Sequence, residues 1–139
     1  MSDRMNPVEA APAQGKNALH RQFLRFAAVG VVGTAAHYGV MLSLIAFAGA
    51  SPVVGTCAGF VVSLGASYAL NRLWTFDKRP PWARGFLTYF LVCAVGLAIN
   101  MGIVALAIGA GFHYMLGQVV ATFVALFWNF LSSRFIVFR

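Results

Sequence analysis

The chain has 139 residues, 60% of them hydrophobic and only 9% charged, with a formal net charge of +7. At a mean hydropathy of +0.80 it lacks the polar surface of an ordinary soluble domain. All ten Lys and Arg and all three Asp and Glu fall outside two blocks, 26–71 and 85–133, so the basic residues flank apolar runs and form no nucleic-acid-binding stripe.

As a single helix each charge-free block would be about 70 Å long against a hydrocarbon core of roughly 30 Å, so each must fold back once and cross twice. Residues 1–22, rich in Ala, Pro and polar groups, read as a disordered cytoplasmic tail. The membrane domain then occupies 23–139. The first apolar run is longer than a signal-peptide core and no cleavage pattern follows it, so this span is expected to be retained. Span 1, predicted over 23–48, carries Gly30, Gly33, Thr34 and His37 on one face and stops at the uncharged turn Gly49-Ala50-Ser51-Pro52. Span 2, over 53–73, has small or polar residues at steps of four: Gly55, Gly59, Ser63, Ser67 and Asn71. A charged loop from Asp77 to Arg84 leads into span 3, 86–108, whose Cys93, Gly96, Leu97 and Asn100 match the face of span 1. A second uncharged turn, Gly109 to Tyr114, precedes span 4, 115–136, with Gly117, Ala121, Ala125, Asn129 and Ser133 at the same four-residue step. In lipid no hydrophobic drive brings helices together, and close backbone approach through small residues takes its place. Gly33, Gly55, Gly59, Gly96 and Gly117 are therefore expected at helix contacts.

The basic residues fall into three groups: Arg4, Lys16, Arg21 and Arg25 before span 1, Arg72, Lys78, Arg79 and Arg84 between spans 2 and 3, and Arg134 and Arg139 after span 4. The positive-inside rule puts all three groups, and with them both termini, in the cytoplasm. Cys57 and Cys93 lie inside spans without a CxxC or Cys/His cluster and read as small hydrophobes.

The sequence also repeats. A shift of 63 residues pairs Phe26 with Tyr89, Gly33 with Gly96 and His37 with Asn100; a shift of 62 pairs Gly55 with Gly117, Arg72 with Arg134 and Phe76 with Phe138. Each copy holds an even number of spans, so the two hairpins are parallel repeats about an axis near the membrane normal. The fold class predicted is an all-α membrane protein of four transmembrane helices in two such hairpins.

No Asp, Glu, Lys or Arg lies at mid-depth, which argues against the carboxylate-dependent mechanism of small drug exporters. The groups left there are neutral: His37, Asn100, Gln118, Thr122 and Asn129. Amides and hydroxyls of this kind can line a path for a sugar, and they can equally satisfy one another across helix seams. Arg25, Arg72 and Arg134 stand at the charged ends of spans 1, 2 and 4. Each can snorkel to headgroups, or together they can hold a lipid phosphate through bidentate guanidinium contacts. Aromatic residues beside them form an interfacial belt. The chain shows no nucleophile–base pair, metal-ligand spacing, phosphate-binding loop or paired carboxylates, so neither an enzyme nor a cofactor or metal protein is expected.

Three stretches carry a family resemblance. Phe26-Ala27-Ala28-Val29-Gly30, Asn71-Arg72-Leu73-Trp74-Thr75-Phe76 and the run from Asn129 to Phe138 resemble, in order, the opening, central and closing signatures of the GtrA-like family of small four-span bacterial membrane proteins. The likeness covers residues 20–139. Ser67 stands where an Asn is common in that family and Ile136 where a Trp is common. The resemblance implies an inner-membrane protein that translocates a polyprenyl-phosphate-linked monosaccharide between leaflets for cell-surface polysaccharide synthesis, partnered by a membrane-attached glycosyltransferase. The alternative it leaves open is an adaptor that anchors or recruits such a glycosyltransferase through the Asp77–Arg84 loop. Four helices enclose little space, which keeps a homodimer open as well.

Overall fold

The computed structural model describes the backbone of residues 11–139 and the side chains of residues 15 and 17–139. It contains two helical hairpins, α1 (Ala11–Ala48) with α2 (Pro52–Leu70) and α3 (Trp82–Gly109) with α4 (Tyr114–Ser132), and no strand among the described residues. Four segments are long and apolar enough to cross a membrane: Asn17–Ala48, Pro52–Thr75, Trp82–Gly109 and Tyr114–Val137. The all-α, four-span architecture is thus as expected from the sequence.

The first helix begins earlier than composition suggested. Residues 11–22 of the expected disordered tail are helical and continuous with span 1. Extending an existing helix needs no new nucleus, and Ala, Gln, Lys, Leu and Arg in this stretch are good helix formers; Pro12 falls in the first turn, where its missing N–H costs nothing. The remainder of that tail, residues 1–10, lies outside the described residues.

Glycine in the left-handed region turns each hairpin. Gly49 has φ 63° and Gly111 φ 84°, conformations that close a helix C-terminus at little steric cost only without a Cβ. The Ala50 amide then donates to the Leu44 carbonyl at 3.1 Å, and that of Phe112 to Ala107 at 3.0 Å. The return helices are capped locally: the Ser51 hydroxyl accepts from the Val54 amide at 3.4 Å ahead of Pro52 in the first turn, and His113 Nδ1 accepts from the Met115 amide at 3.3 Å.

At their other ends α2 and α4 both run into a π turn, Asn71–Thr75 and Ser133–Val137, where plain helix had been expected to 73 and 136. The closing bonds reach five residues back, Phe76 N–H to Asn71 C=O at 2.9 Å and Phe138 N–H to Ser133 C=O at 2.8 Å. Widening the last turn rotates the residue that follows it, and Phe76 and Phe138, related by the repeat, end stacked on each other with ring centroids 4.6 Å apart and planes 10° apart.

These two rings are the centre of the core. Phe26 meets Phe130 at 5.6 Å and its repeat counterpart Tyr89 meets Tyr68 at 5.6 Å; Phe76 also faces Phe130, as Phe138 faces Tyr68. One aromatic cluster, with a pseudo-twofold axis through the Phe76–Phe138 stack, ties the hairpins together at the end where the charges lie. Hydrogen bonds between hairpins are there too: Asn71 Nδ2 to the Tyr89 hydroxyl at 3.2 Å, and the Tyr68 hydroxyl to the Trp82 carbonyl at 3.3 Å.

Toward the turns, the close approaches are within each hairpin. A Cβ built on Gly59 would lie 2.5 Å from the His37 carbonyl oxygen, one on Gly55 3.0 Å from the Met41 carbonyl oxygen, and one on Gly117 2.7 Å from Ala107 Cβ. Gly33 accommodates the Ser67 side chain and Gly96 that of Asn129, a repeat-related pair of contacts. The small residues thus sit at the α1–α2 and α3–α4 seams, while Phe47, Leu106 and Phe112 in the turn-end halves face outward.

Candidate functional site

The charged end of the bundle is not flat. The first turns of span 1, the end of the first π turn and the end of the chain surround an open cavity of about 600 Å³. Arg21, Arg25, Lys78, Arg134 and Arg139 line it, with Asp77 as the single acidic side chain among the described lining residues. Its position follows from topology: the spans enter and leave on this side, so their basic flanks converge where the apolar helices end.

Gln22 holds the wall together. Its Nε2 donates to the Thr75 carbonyl at 3.3 Å, and its Oε1 accepts from Arg134 Nη1, which joins the arginine of the second hairpin to the first. Arg25 donates from Nη1 to the Trp74 carbonyl at 3.2 Å and lies 5.5 Å over the Trp74 ring. Arg134 lies 5.6 Å from the Phe135 ring centre. A guanidinium has five N–H donors in a fixed fork, so one bond and one ring apiece orient Arg25 and Arg134 while leaving further donors for an anion. Thr75 adds a buried hydroxyl that has no hydrogen-bond partner in a residue that lines the cavity.

Arg72 is placed differently. Its Nη1 donates to the Pro80 carbonyl and its guanidinium stacks 4.5 Å over Trp82, outside the cavity lining. By the repeat Arg72 is the counterpart of Arg134, and Gly85 that of Gln22. Where Gln22 grips Arg134, the bare Gly85 leaves room for the Tyr68 hydroxyl and the Pro80 ring. The segment entering α3 therefore occupies, in one half of the bundle, the space that stays open in the other.

The mid-depth polar residues are spread over three helices. His37 is half-buried on α1, with its backbone against Gly59, and Asn100 is half-buried at the matching place on α3. Asn129 packs on Gly96 with its Oδ1 buried and unpartnered. Gln118 is exposed on α4, its Nε2 3.3 Å from the Thr122 hydroxyl, which itself donates to the Gln118 carbonyl at 2.7 Å. None of the four lines the charged-end cavity. The structure thus brings Arg25 and Arg134 together and leaves Arg72, His37, Asn100, Gln118 and Asn129 elsewhere.

Sequence reasoning did not single out Gln22 or Thr75, nor Arg21, Lys78 and Arg139 as lining. The one available signal for Thr75 is its place in the stretch Asn71–Phe76 that recurs as Ser133–Phe138; nothing marks Gln22 until the fold sets it beside Arg134. No group of three or more His, Cys, Asp or Glu that could hold a metal occurs among the described residues.

The unequal arginines give a paired expectation. Arg134→Lys keeps the charge but loses the fork that reaches both Gln22 and the cavity, and should weaken the cavity's affinity for an oxyanion about tenfold with little change in unfolding temperature. Arg72→Lys loses the stacking on Trp82 and should lower the unfolding temperature while leaving that oxyanion affinity within about twofold. Titration with a phosphate-bearing amphiphile and thermal unfolding of both variants check this; equal loss of affinity in the two would give Arg72 the same part in anion binding as Arg134. The family model described as GtrA/DPMS, transmembrane domain, matches residues 25–138.

Proposed function

Because the chain belongs to the GtrA/DPMS transmembrane-domain family, a setting of polyprenyl-phosphate sugar pathways, we propose that it translocates a polyprenyl-phosphate-linked monosaccharide from the cytoplasmic to the outer leaflet of a bacterial inner membrane. The observation that carries this reading is the basic cavity at the level where the apolar spans end, with Arg25 and Arg134 oriented into one wall. An anion bound there stands at headgroup height, and its prenyl chain can remain in lipid beside the outward-facing apolar side chains.

In this reading the positive-inside charges set the cavity and both termini in the cytoplasm. The guanidiniums take the phosphate by charge-assisted hydrogen bonds. His37, Asn100, Gln118 and Asn129 offer neutral donors and acceptors to the sugar's hydroxyls at intermediate depth. The protein performs no bond chemistry; a membrane-attached glycosyltransferase charges the carrier. Translocated sugar serves cell-surface polysaccharide synthesis.

One observation favours the adaptor as a second reading: Asp77, Lys78, Arg79 and Arg84 are all exposed in the segment between the hairpins, a charged surface available to a glycosyltransferase. Transfer of a lipid-linked sugar in reconstituted vesicles separates the two. Apolar replacement of His37, Asn100 and Asn129 together should slow transfer at least about tenfold, the scale expected on leaving sugar hydroxyls unpaired, with glycosyltransferase recruitment intact. Wild-type transfer no faster than in protein-free vesicles, with or without the glycosyltransferase, sinks the flippase and leaves the adaptor.

A further inference from the structure

The cavity carries more positive charge than a sugar-linked carrier needs. Five cationic side chains, Arg21, Arg25, Lys78, Arg134 and Arg139, face one side-chain carboxylate, that of Asp77, a formal side-chain excess of four among the described residues. A phosphate esterified to both a prenyl chain and a sugar is a diester with one negative charge and two terminal oxygens. A phosphate esterified to the prenyl chain alone is a monoester with three terminal oxygens and, above its second pKa of about 6, close to two negative charges.

Size does not choose between them, because about 600 Å³ accommodates either headgroup. Charge and hydrogen bonding do. The extra charge meets all five cations at once, and the third terminal oxygen gives the partly engaged forks of Arg25 and Arg134 another strong acceptor. The Thr75 hydroxyl, buried in the wall without a partner, is a further neutral donor beside this position.

We propose that the charged-end cavity is a site for a phosphomonoester dianion and holds the unglycosylated carrier lipid in preference to its sugar-linked diester. This rests on the reading of the cavity as the phosphate end of a lipid carrier. It places the protein between two transfer reactions: after the one that removes the sugar and leaves the carrier phosphate, and before the one that esterifies that phosphate again.

The test uses the full chain in nanodiscs of uncharged lipid, titrated with a short-chain polyprenyl phosphate and with the same chain carrying a phosphate-linked hexose. At pH 7.5 the monoester should bind on the order of tenfold more tightly. At pH 5 it loses its second charge and the ratio should fall toward one, while the diester does not titrate in this range. A parallel titration of His20→Gln, which removes the imidazole beside Arg21, should show the same fall in the ratio, so that the fall reports the lipid phosphate and not the protein. Arg21→Gln with Lys78→Gln removes two exposed cations that make no side-chain hydrogen bond among those described, and should shrink the preference several-fold without lowering the unfolding temperature.

Equal affinities at pH 7.5, or a full preference in that double variant, overturn the proposal while leaving carrier binding in place. Failure of either lipid to bind removes the phosphate-end reading itself. Inorganic phosphate distinguishes the source of the dianion: displacement of the lipid at concentrations comparable to its own assigns the site to a soluble anion and overturns the lipid assignment, and resistance to such displacement supports it.

Discussion

Tyr68→Ala should uncouple the two hairpins, the largest effect expected of any single substitution in this chain. Tyr68 is 1% exposed and its ring meets those of Trp82, Phe86, Tyr89 and Phe138 within 5.6–5.8 Å. All four partners belong to the second hairpin, whereas Tyr68 belongs to the first. Truncating a buried aromatic costs about 3–5 kcal/mol, and here the loss falls on the one cluster that joins the repeats. The expected result is a large drop in unfolding temperature and a broad distance distribution between spin labels at Ser51 and Phe112, one in each turn. Tyr68→Phe loses only the hydrogen bond to the Trp82 carbonyl, about 1 kcal/mol, and should keep a narrow distribution. A Tyr68→Ala protein as stable and as narrowly distributed as wild type would show that the aromatic cluster does not hold the hairpins together.

Gly59→Leu should open the other kind of contact, the seam within a hairpin. The Cβ alone would come 2.5 Å from the His37 carbonyl oxygen and 3.3 Å from its carbon. Both are backbone atoms of α1, so no side chain can move aside and the helices must part. The cost is at or beyond the upper end of the roughly 1–3 kcal/mol typical of overpacking. Gly102→Ala is the control, because a Cβ there meets nothing within 4 Å and Ala is the better helix former; it should be neutral or stabilising. Thermal unfolding in detergent ranks the two. If Gly59→Leu unfolds no earlier than Gly102→Ala, the α1–α2 seam is not the close backbone contact described.

Gly59 and Gly117 were legible in the sequence because a membrane span offers few reasons for small residues at steps of four other than backbone approach. The spans, their hairpin order and the duplication were legible for a similar reason: charge exclusion and a repeat survive in one dimension. The extension of α1 back to Ala11 was not, since a polar helix continued from an apolar one has no periodicity of its own. Nor were the π turns, because an i→i+5 bond needs no special residue and Asn71–Thr75 reads as the end of an ordinary helix. The cavity was half legible. Arg25 and Arg134 stood out by charge and by position, but Arg72 carries the same signature and lies against Pro80 and Trp82. What separates them is the non-repeated neighbour, Gln22 on one side and Gly85 on the other, whose meaning depends on which helix each arginine faces after folding.

The confinement of the inter-hairpin aromatic core to one end has a mechanical consequence. From Phe26 to the turn at Gly49 the first hairpin is an arm about 35 Å long, fixed to the second near the Phe76–Phe138 stack and, among the described residues, without a hydrogen bond or ring contact to it nearer the turns. Two flat rings with planes 10° apart resist separation better than they resist sliding and turning in plane. A relative tilt of about 10° at that joint displaces the far turn by about 6 Å over such an arm, comparable with the width of a sugar ring, without breaking any of the glycine seams that hold each arm together.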